Sequence, residues 1–192
     1  AGLMCAIESG KRGKSVLLID HSKKIGEKIR ISGGGRCNFT NLNTQSSKFI
    51  SENKKFMVSA LNQYSQYDFI KLVESHNIKF HEKKLGQLFC DGSSQLIIDM
   101  LLDECEKAGI TLLKETIVQN IFKKEDKYSV ETIDNDYCSS SLVIATGGLS
   151  IPKIGATKFG YEIAKKFDLN IISPSAALVP LTFNDNILKM CK

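Results

Sequence analysis

The residues best suited to chemistry lie in one run, Gly26-Glu27-Lys28-Ile29-Arg30-Ile31-Ser32-Gly33-Gly34-Gly35-Arg36-Cys37-Asn38-Phe39-Thr40-Asn41. Consecutive glycines let bare backbone approach a ligand and turn several N–H groups toward one point, and Lys28 and Arg36 add positive charge there. Such a surface suits a pyrophosphate or the electron-rich edge of a flavin. A flexible linker is the plain alternative, but linkers seldom carry Arg, Cys and Asn directly after the glycines. The flanking cations favour a thiolate at Cys37. No resolving cysteine stands nearby in sequence, so packing beside a ligand is the expected role rather than disulfide exchange.

Gly2 and Asp20 form a second pair. A dinucleotide fold needs a glycine turn, a helix whose N-terminus faces the pyrophosphate, and an acid about 20 residues on that binds the ribose hydroxyls. The acid favours a free 2′-hydroxyl, which suits FAD or NAD over NADP. A third site is the turn Ala145-Thr146-Gly147-Gly148, directly after the apolar run Leu142-Val143-Ile144-Ala145. Open α/β sheets bind ligands at such strand ends. Gly13-Lys14-Ser15 is not the end of a P-loop, since Glu8 stands where its first glycine belongs. His21, His76 and His81 have no spacing for a shared metal, so no metal ligand is assigned. No catalytic residue stands out, as expected where a cofactor carries the reaction.

The elements that must position these residues follow from periodicity. Residues 2–12 predict a helix with Leu3, Met4, Ala6 and Ile7 inward, stopped at Gly13. Ser15 to Asp20 reads as a strand buried on both faces, and residues 22–43 as a long loop that holds its shape only around a ligand. Between about 44 and 110 a helical insertion is expected. It holds helices at Phe56–Tyr64, Tyr67–His76 and Ser94–Lys107, a strand at Asn77–His81, and Leu96, Ile97, Met100, Leu101 and Cys105 inward on the last helix. Ile110 to Lys114 predicts a further strand, 117–139 an antiparallel ribbon, Leu142–Ala145 another buried strand, and Gly160–Phe167 a helix.

The 192 residues, 42% apolar and 24% charged, suffice for a globular core and exclude a disordered chain. Lys and Arg total 26 against 21 acids, a net charge of +5, and the lysines are scattered, so no nucleic-acid partner is expected. Six cysteines without a C-x-x-C pair suit a reducing cytoplasm, and no apolar run is long enough for a membrane span. The helical pattern starts at the first residue, without the strand and the two glycines that should precede Gly2. The chain therefore reads as a fragment, and without that strand it is expected to bind FAD poorly.

With these stretches in view, the chain resembles the BaiN/RdsA family of NAD(P)/FAD-dependent oxidoreductases, the YhiN-like or aminoacetone-oxidase-like flavoproteins. The resemblance rests on Ala1 to Ala6, Gly26 to Asn41, Leu142 to Pro152, Gly155-Ala156-Thr157, Gly160-Tyr161 and Pro174 to Leu181. It implies a Rossmann-like α/β FAD-binding domain of the two-dinucleotide-binding, glutathione-reductase-like type over residues 1–182, with a substrate domain beginning at 183–192. It also implies Gly2 beside the FAD pyrophosphate, Asp20 on the adenosine ribose and Val118 meeting adenine through its backbone. Lys28 and Ser32, Gly33, Gly34, Gly35, Arg36, Cys37 and Asn38 would line the pyrophosphate and flavin, with Ala145, Thr146 and Gly147 near the cofactor. The activity implied is reduction of flavin by NAD(P)H and hydride transfer to a small organic acceptor such as a conjugated double bond. A flavin-binding electron carrier or RNA-modification partner without its own turnover is the other reading. Members often carry G-R-x-F-P where this chain has Gly86-Gln87-Leu88-Phe89-Cys90, a departure that bears on substrate binding rather than on FAD.

Overall fold

The computed structural model describes residues 1–150 and 155–175. The apolar segment near 178–183 and the expected start of a second domain at 183–192 lie outside the described residues. Two compact units divide at Gly160, Ala1–Gly160 and Tyr161–Lys192.

The first unit opens with helix α1, Gly2–Lys11, which buries Ala6 and Ile7 and lays Leu3 and Met4 against the core. Bonds from Gly13 N–H to Gly10 O and from Lys14 N–H to Ser9 O end it, with Gly13 at a φ of 74°. Strand β1, Leu17–Ile19, follows. It is half-buried, with Leu17 37% exposed, and not covered on both faces as the continuous apolar run predicts. Its described ladder partner is the parallel strand β5, Thr111–Leu113, and a strand needs neighbours and covering helices on both sides before both faces leave water.

Residues 22–43 are not an open loop. They contain helix α2, Glu27–Ile31, a 3-10 turn at Ser32–Gly35, and strand β2, Asn38–Asn41. Helices α3, Phe56–Gln63, and α4, Gln66–Ser75, come next. Strands β3, Phe80–Glu82, and β4, Gln87–Cys90, pair with β2 in an antiparallel sheet ordered β2-β4-β3. The stretch between 44 and 110 therefore carries strands as well as helices, because β4 supplies the ladder that β2 requires.

Helix α5, Gln95–Lys107, buries Ile97, Ile98, Met100, Leu101, Glu104 and Cys105. Leu96 faces outward at 41% exposure and Ile98 takes the inward position. Strand β5, Thr111–Leu113, runs parallel to β1 in the register Leu17–Thr111, Leu18–Leu112 and Ile19–Leu113. A parallel partner requires a crossover, and α5 lies on it, packed against α1. Strands β6, Val118–Lys124, β7, Lys127–Thr132, and β8, Asp136–Ser139, form the antiparallel ribbon expected from the alternation.

Leu142–Ala145 is not a strand: it has no ladder partner among the described residues, and Val143 and Ile144 are 63% and 38% exposed. An apolar run becomes a strand only where a neighbour accepts its backbone bonds. Helix α6, Phe159–Lys166, crosses the division between the units. The main core joins Ile7 of α1, Val73 of α4, Cys90 of β4 and Ile97, Met100, Leu101 and Cys105 of α5. Among the described residues no helix is long and apolar enough to cross a membrane.

Candidate functional site

The site is built at the N-terminus of α1. Its first intrahelical bond runs from Cys5 N–H to Ala1 O, and no side chain caps the end, so the N–H groups of Gly2, Leu3 and Met4 have no helical partner. A Cβ on Gly2 would lie 3.4 Å from Leu18 Cδ1 and 3.5 Å from Ala145 Cβ, which places the helix start between β1 and the Ala145–Gly147 turn. A Cβ on Gly147 would sit 3.1 Å from Lys28 Nζ. Gly2, Ala145, Gly147 and Lys28 thus converge although 145 positions separate the outermost pair. The convergence joins unsatisfied N–H groups, a positive helix end and an ammonium, and the first turn carries no acid. It can hold an anion.

Asp20 follows β1. Its N–H donates to Leu113 O, and its carbonyl accepts from Thr116 N–H, just before β6 starts at Val118. Asp20 and Val118 therefore come to the same end of the β1–β5 pair. One Asp20 oxygen, Oδ1, accepts from Ser22 N–H at 2.8 Å, and Oδ2 has no hydrogen bond among the described residues. That free oxygen can accept from a diol. His21 lies alongside, its Nδ1 3.9 Å from Asp20 Oδ1 and its Nε2 2.9 Å from where a Cβ on Gly155 would sit.

Protein contacts hold the glycine stretch in place. Gly35 O accepts from Ser94 N–H at 2.7 Å, Arg30 O accepts from Ser94 Oγ at 2.9 Å, and Arg36 O accepts from Cys90 N–H at 3.1 Å. Arg30 is tied to Gln95 Oε1, to Ile25 O at 3.1 Å and to Glu27 Oε1 at 3.3 Å. β4 and the start of α5, some 60 positions on, supply these partners, which the reading of 22–43 as a loop did not foresee. Ser94, 2% exposed, is the residue sequence reasoning missed, and its position just ahead of α5 was the available signal.

The glycines do different things. Gly33 has a φ of 61°, and a Cβ there would lie 2.5 Å from Phe89 Cε1 and 3.0 Å from the Asn38 backbone N. Gly34 has a φ of 69°, and a Cβ there would meet nothing within 4 Å. Gly34 is the open approach, while packing on β4 requires Gly33. Ser32 is half-buried and Arg36, Asn38 and Thr146 are exposed.

Cys37 is not a poised thiolate. It is 4% exposed in the core with Cys90, and burial first, then its neighbour Cys90, pushes its thiol up to about 11. The neighbouring cysteine that the local sequence lacks is Cys90, brought in by the β2–β4 pairing. A separate cluster joins α1, α4 and α5: Glu104 accepts from Lys11 Nζ at 2.6 Å and lies 3.1 Å from His76 Nε2 and 3.3 Å from Lys107 Nζ. Those bonds, the Lys11 one above all, bring its carboxyl down to about 2. His76, Asp103 and Glu104 offer ligand atoms within 4.8 Å of one another, but Lys11 and Lys107 already engage the carboxylates.

Residues 1–184 match the family described as the HI0933-like protein Rossmann domain, and the chain belongs to that family. Its fold is accordingly a Rossmann-like α/β domain, in which α1 leads into β1 and β1 pairs in parallel with β5. The chain is 48% identical over 189 residues to a protein named ribosomal RNA dihydrouridine synthase from Escherichia coli (strain K12), covering 98% of this chain and 47% of that protein. It is 44% identical over 189 residues to a protein of the same name from Haemophilus influenzae, covering 96% of this chain and 47% of the relative. A 3-dehydro-bile acid delta(4,6)-reductase from Clostridium scindens is 20% identical over 184 residues, covering 94% of this chain and 45% of that protein. The chain thus spans about half the length of the curated relatives it matches. The names of the first two overturn the expectation of no nucleic-acid partner. Scattered lysines were a poor guide, because a basic surface is assembled in three dimensions from residues far apart in sequence.

Proposed function

We propose that this chain is the FAD-binding part of a flavin-dependent reductase acting on a carbon–carbon double bond conjugated to a carbonyl, carried by a base of ribosomal RNA. The observation that carries the reading is the convergence of Gly2, Ala145, Gly147 and Lys28 on the uncapped end of α1. The donor set fits the group, since a dinucleotide pyrophosphate needs backbone N–H groups and one cation. In this reading the Gly2 end of α1, the Ala145-Thr146-Gly147 turn and Lys28 hold the pyrophosphate. Asp20 Oδ2 accepts from the ribose hydroxyls, and the Val118 backbone meets the adenine. The Ser32–Asn38 arch presents main chain at Gly34, with Gly33, Gly35 and Cys37 locking it to β4 and α5, and Arg36 adding charge at its rim.

Bound FAD supplies two-electron hydride chemistry, with NAD(P)H as the donor. The chain's own part is to fix that group against bare backbone and to set the local field with N–H groups and cations. Reduction of uracil's 5,6 double bond, which is conjugated to the 4-carbonyl, consumes one hydride and one proton. The names of the E. coli relative and the more distant bile-acid reductase both describe conjugated double bonds reduced, and the higher identity of the former favours RNA over a free small molecule.

The test begins with the absorption spectrum of the intact protein as purified, then anaerobic bleaching by NADH or NADPH. Unmodified ribosomal RNA follows, with nucleoside mass spectrometry for a gain of two hydrogens on uridine. A flavin peak, bleaching and dihydrouridine are expected. Absence of flavin refutes the cofactor, and bleaching without change in any uridine leaves the electron carrier as the function.

A further inference from the structure

We propose that the exposed face of α3, with the segment leading into it, is an RNA-docking surface. It rests on the RNA reading above and adds where the polymer is held, away from the α1 site. Helix α3 buries none of its residues. Such a helix is ordinarily the amphipathic cover of a core, yet here Met57 and Leu61 reach only intermediate burial while the rest of the helix is exposed. Lys55, Val58, Ser59, Asn62 and Gln63 line the open side of the helix.

The chemistry of that face selects among occupants. At helical spacing it offers a lysine, a hydroxyl and two carboxamides, groups that bond to phosphates, ribose hydroxyls and base edges. Phe56, at its edge, is 72% exposed, and Phe49 and Tyr67 are 42% and 54% exposed nearby in sequence. From 48 to 67 the charges are Lys48, Lys54 and Lys55 against Glu52 alone. None of the three lysines is in an ion pair among the described residues. Exposed aromatic rings beside unpaired cations are the stacking and charge platform of single-stranded RNA recognition. Val58 adds an exposed apolar side chain to the face, but Lys48, Lys54 and Lys55 against Glu52 alone, with Ser59, Asn62 and Gln63, favour a polyanion over a covering protein domain.

The intact, flavin-loaded protein is tested by filter binding to ribosomal RNA across a salt series. Lys54→Ala/Lys55→Ala should flatten the slope of log K against log salt by about 1.4, at about 0.7 per lost single-strand phosphate contact. Phe56→Ala should weaken binding by about fivefold or more. A Lys124→Ala/Lys127→Ala control, equal in charge and placed on the β6–β7 hairpin, should leave binding unchanged. If wild type binds RNA and the α3 variants bind equally well, the α3 assignment is overturned while the RNA reading stands. If wild type does not bind, the RNA reading falls and takes this surface with it. Loss of thermal stability or of self-association in Phe56→Ala, with RNA binding intact, would show that protein covers the face and overturn the proposal.

Discussion

Two neighbouring glycines at similar positive φ should respond oppositely to substitution. At Gly33 an added methyl would lie 2.5 Å from Phe89 Cε1 and 3.0 Å from the Asn38 backbone N. Backbone cannot swing away as a flexible side chain can, so Gly33→Ala meets both left-handed strain of about 1–2 kcal/mol and overpacking of about 1–3 kcal/mol. The expected loss is about 2–5 kcal/mol, a fall in melting temperature of about 4–20 °C for a domain of this size. At Gly34 the same methyl meets nothing within 4 Å, so Gly34→Leu incurs only the strain, about 1–2 kcal/mol. Its side chain occupies the open approach instead. The assay is thermal unfolding by circular dichroism alongside the flavin-to-protein absorbance ratio of the intact protein. Gly34→Leu should keep most of its stability and lose flavin, and Gly33→Ala should lose stability first. Full flavin content in Gly34→Leu would refute the reasoning that bare main chain at 34 faces the cofactor.

Glu104→Gln should destabilise the fold by about 2–3 kcal/mol at pH 7, since the carboxylate anchors Lys11, His76 and Lys107 at 10% side-chain exposure. Because folding lowers the Glu104 carboxyl from 4.5 to about 2, its contribution is complete above about pH 4.5 and vanishes as pH falls through about 2. Urea unfolding of both proteins across that range should show their stabilities converging at the acid end. Thiol labelling followed by peptide mass spectrometry at pH 7.5 should modify exposed Cys138 quickly and spare Cys37, Cys90 and Cys105. Labelling of Cys37 as fast as Cys138 would contradict the burial that raises its thiol. Ser94→Ala should cost about 1–3 kcal/mol by stranding Arg30 O. It should also loosen flavin retention, read as faster flavin release in dilute urea.

Elements whose bonds are local, or whose buried face repeats every turn, were legible in the residues. Helix α1 with its Gly13 stop, the α3, α4 and α5 helices and the β6–β7–β8 ribbon fall where periodicity puts them, because each satisfies its backbone internally or with the next strand. The glycine run and the acid after β1 also suggested the nucleotide site that is proposed for this chain. Tertiary structure decided what depends on distant partners. Residues 22–43 hold a helix, a 3-10 turn and a strand whose carbonyls bond to Ser94 and β4, and Cys37 lost its expected thiolate character because Cys90 and the core surround it. Leu142–Ala145 has no ladder neighbour among the described residues and is not a strand there. Only the fold separated Gly33, pressed on Phe89, from Gly34, open to approach: hydrogen-bond pairing and packing join residues some 50 positions apart, and no local pattern encodes the partner.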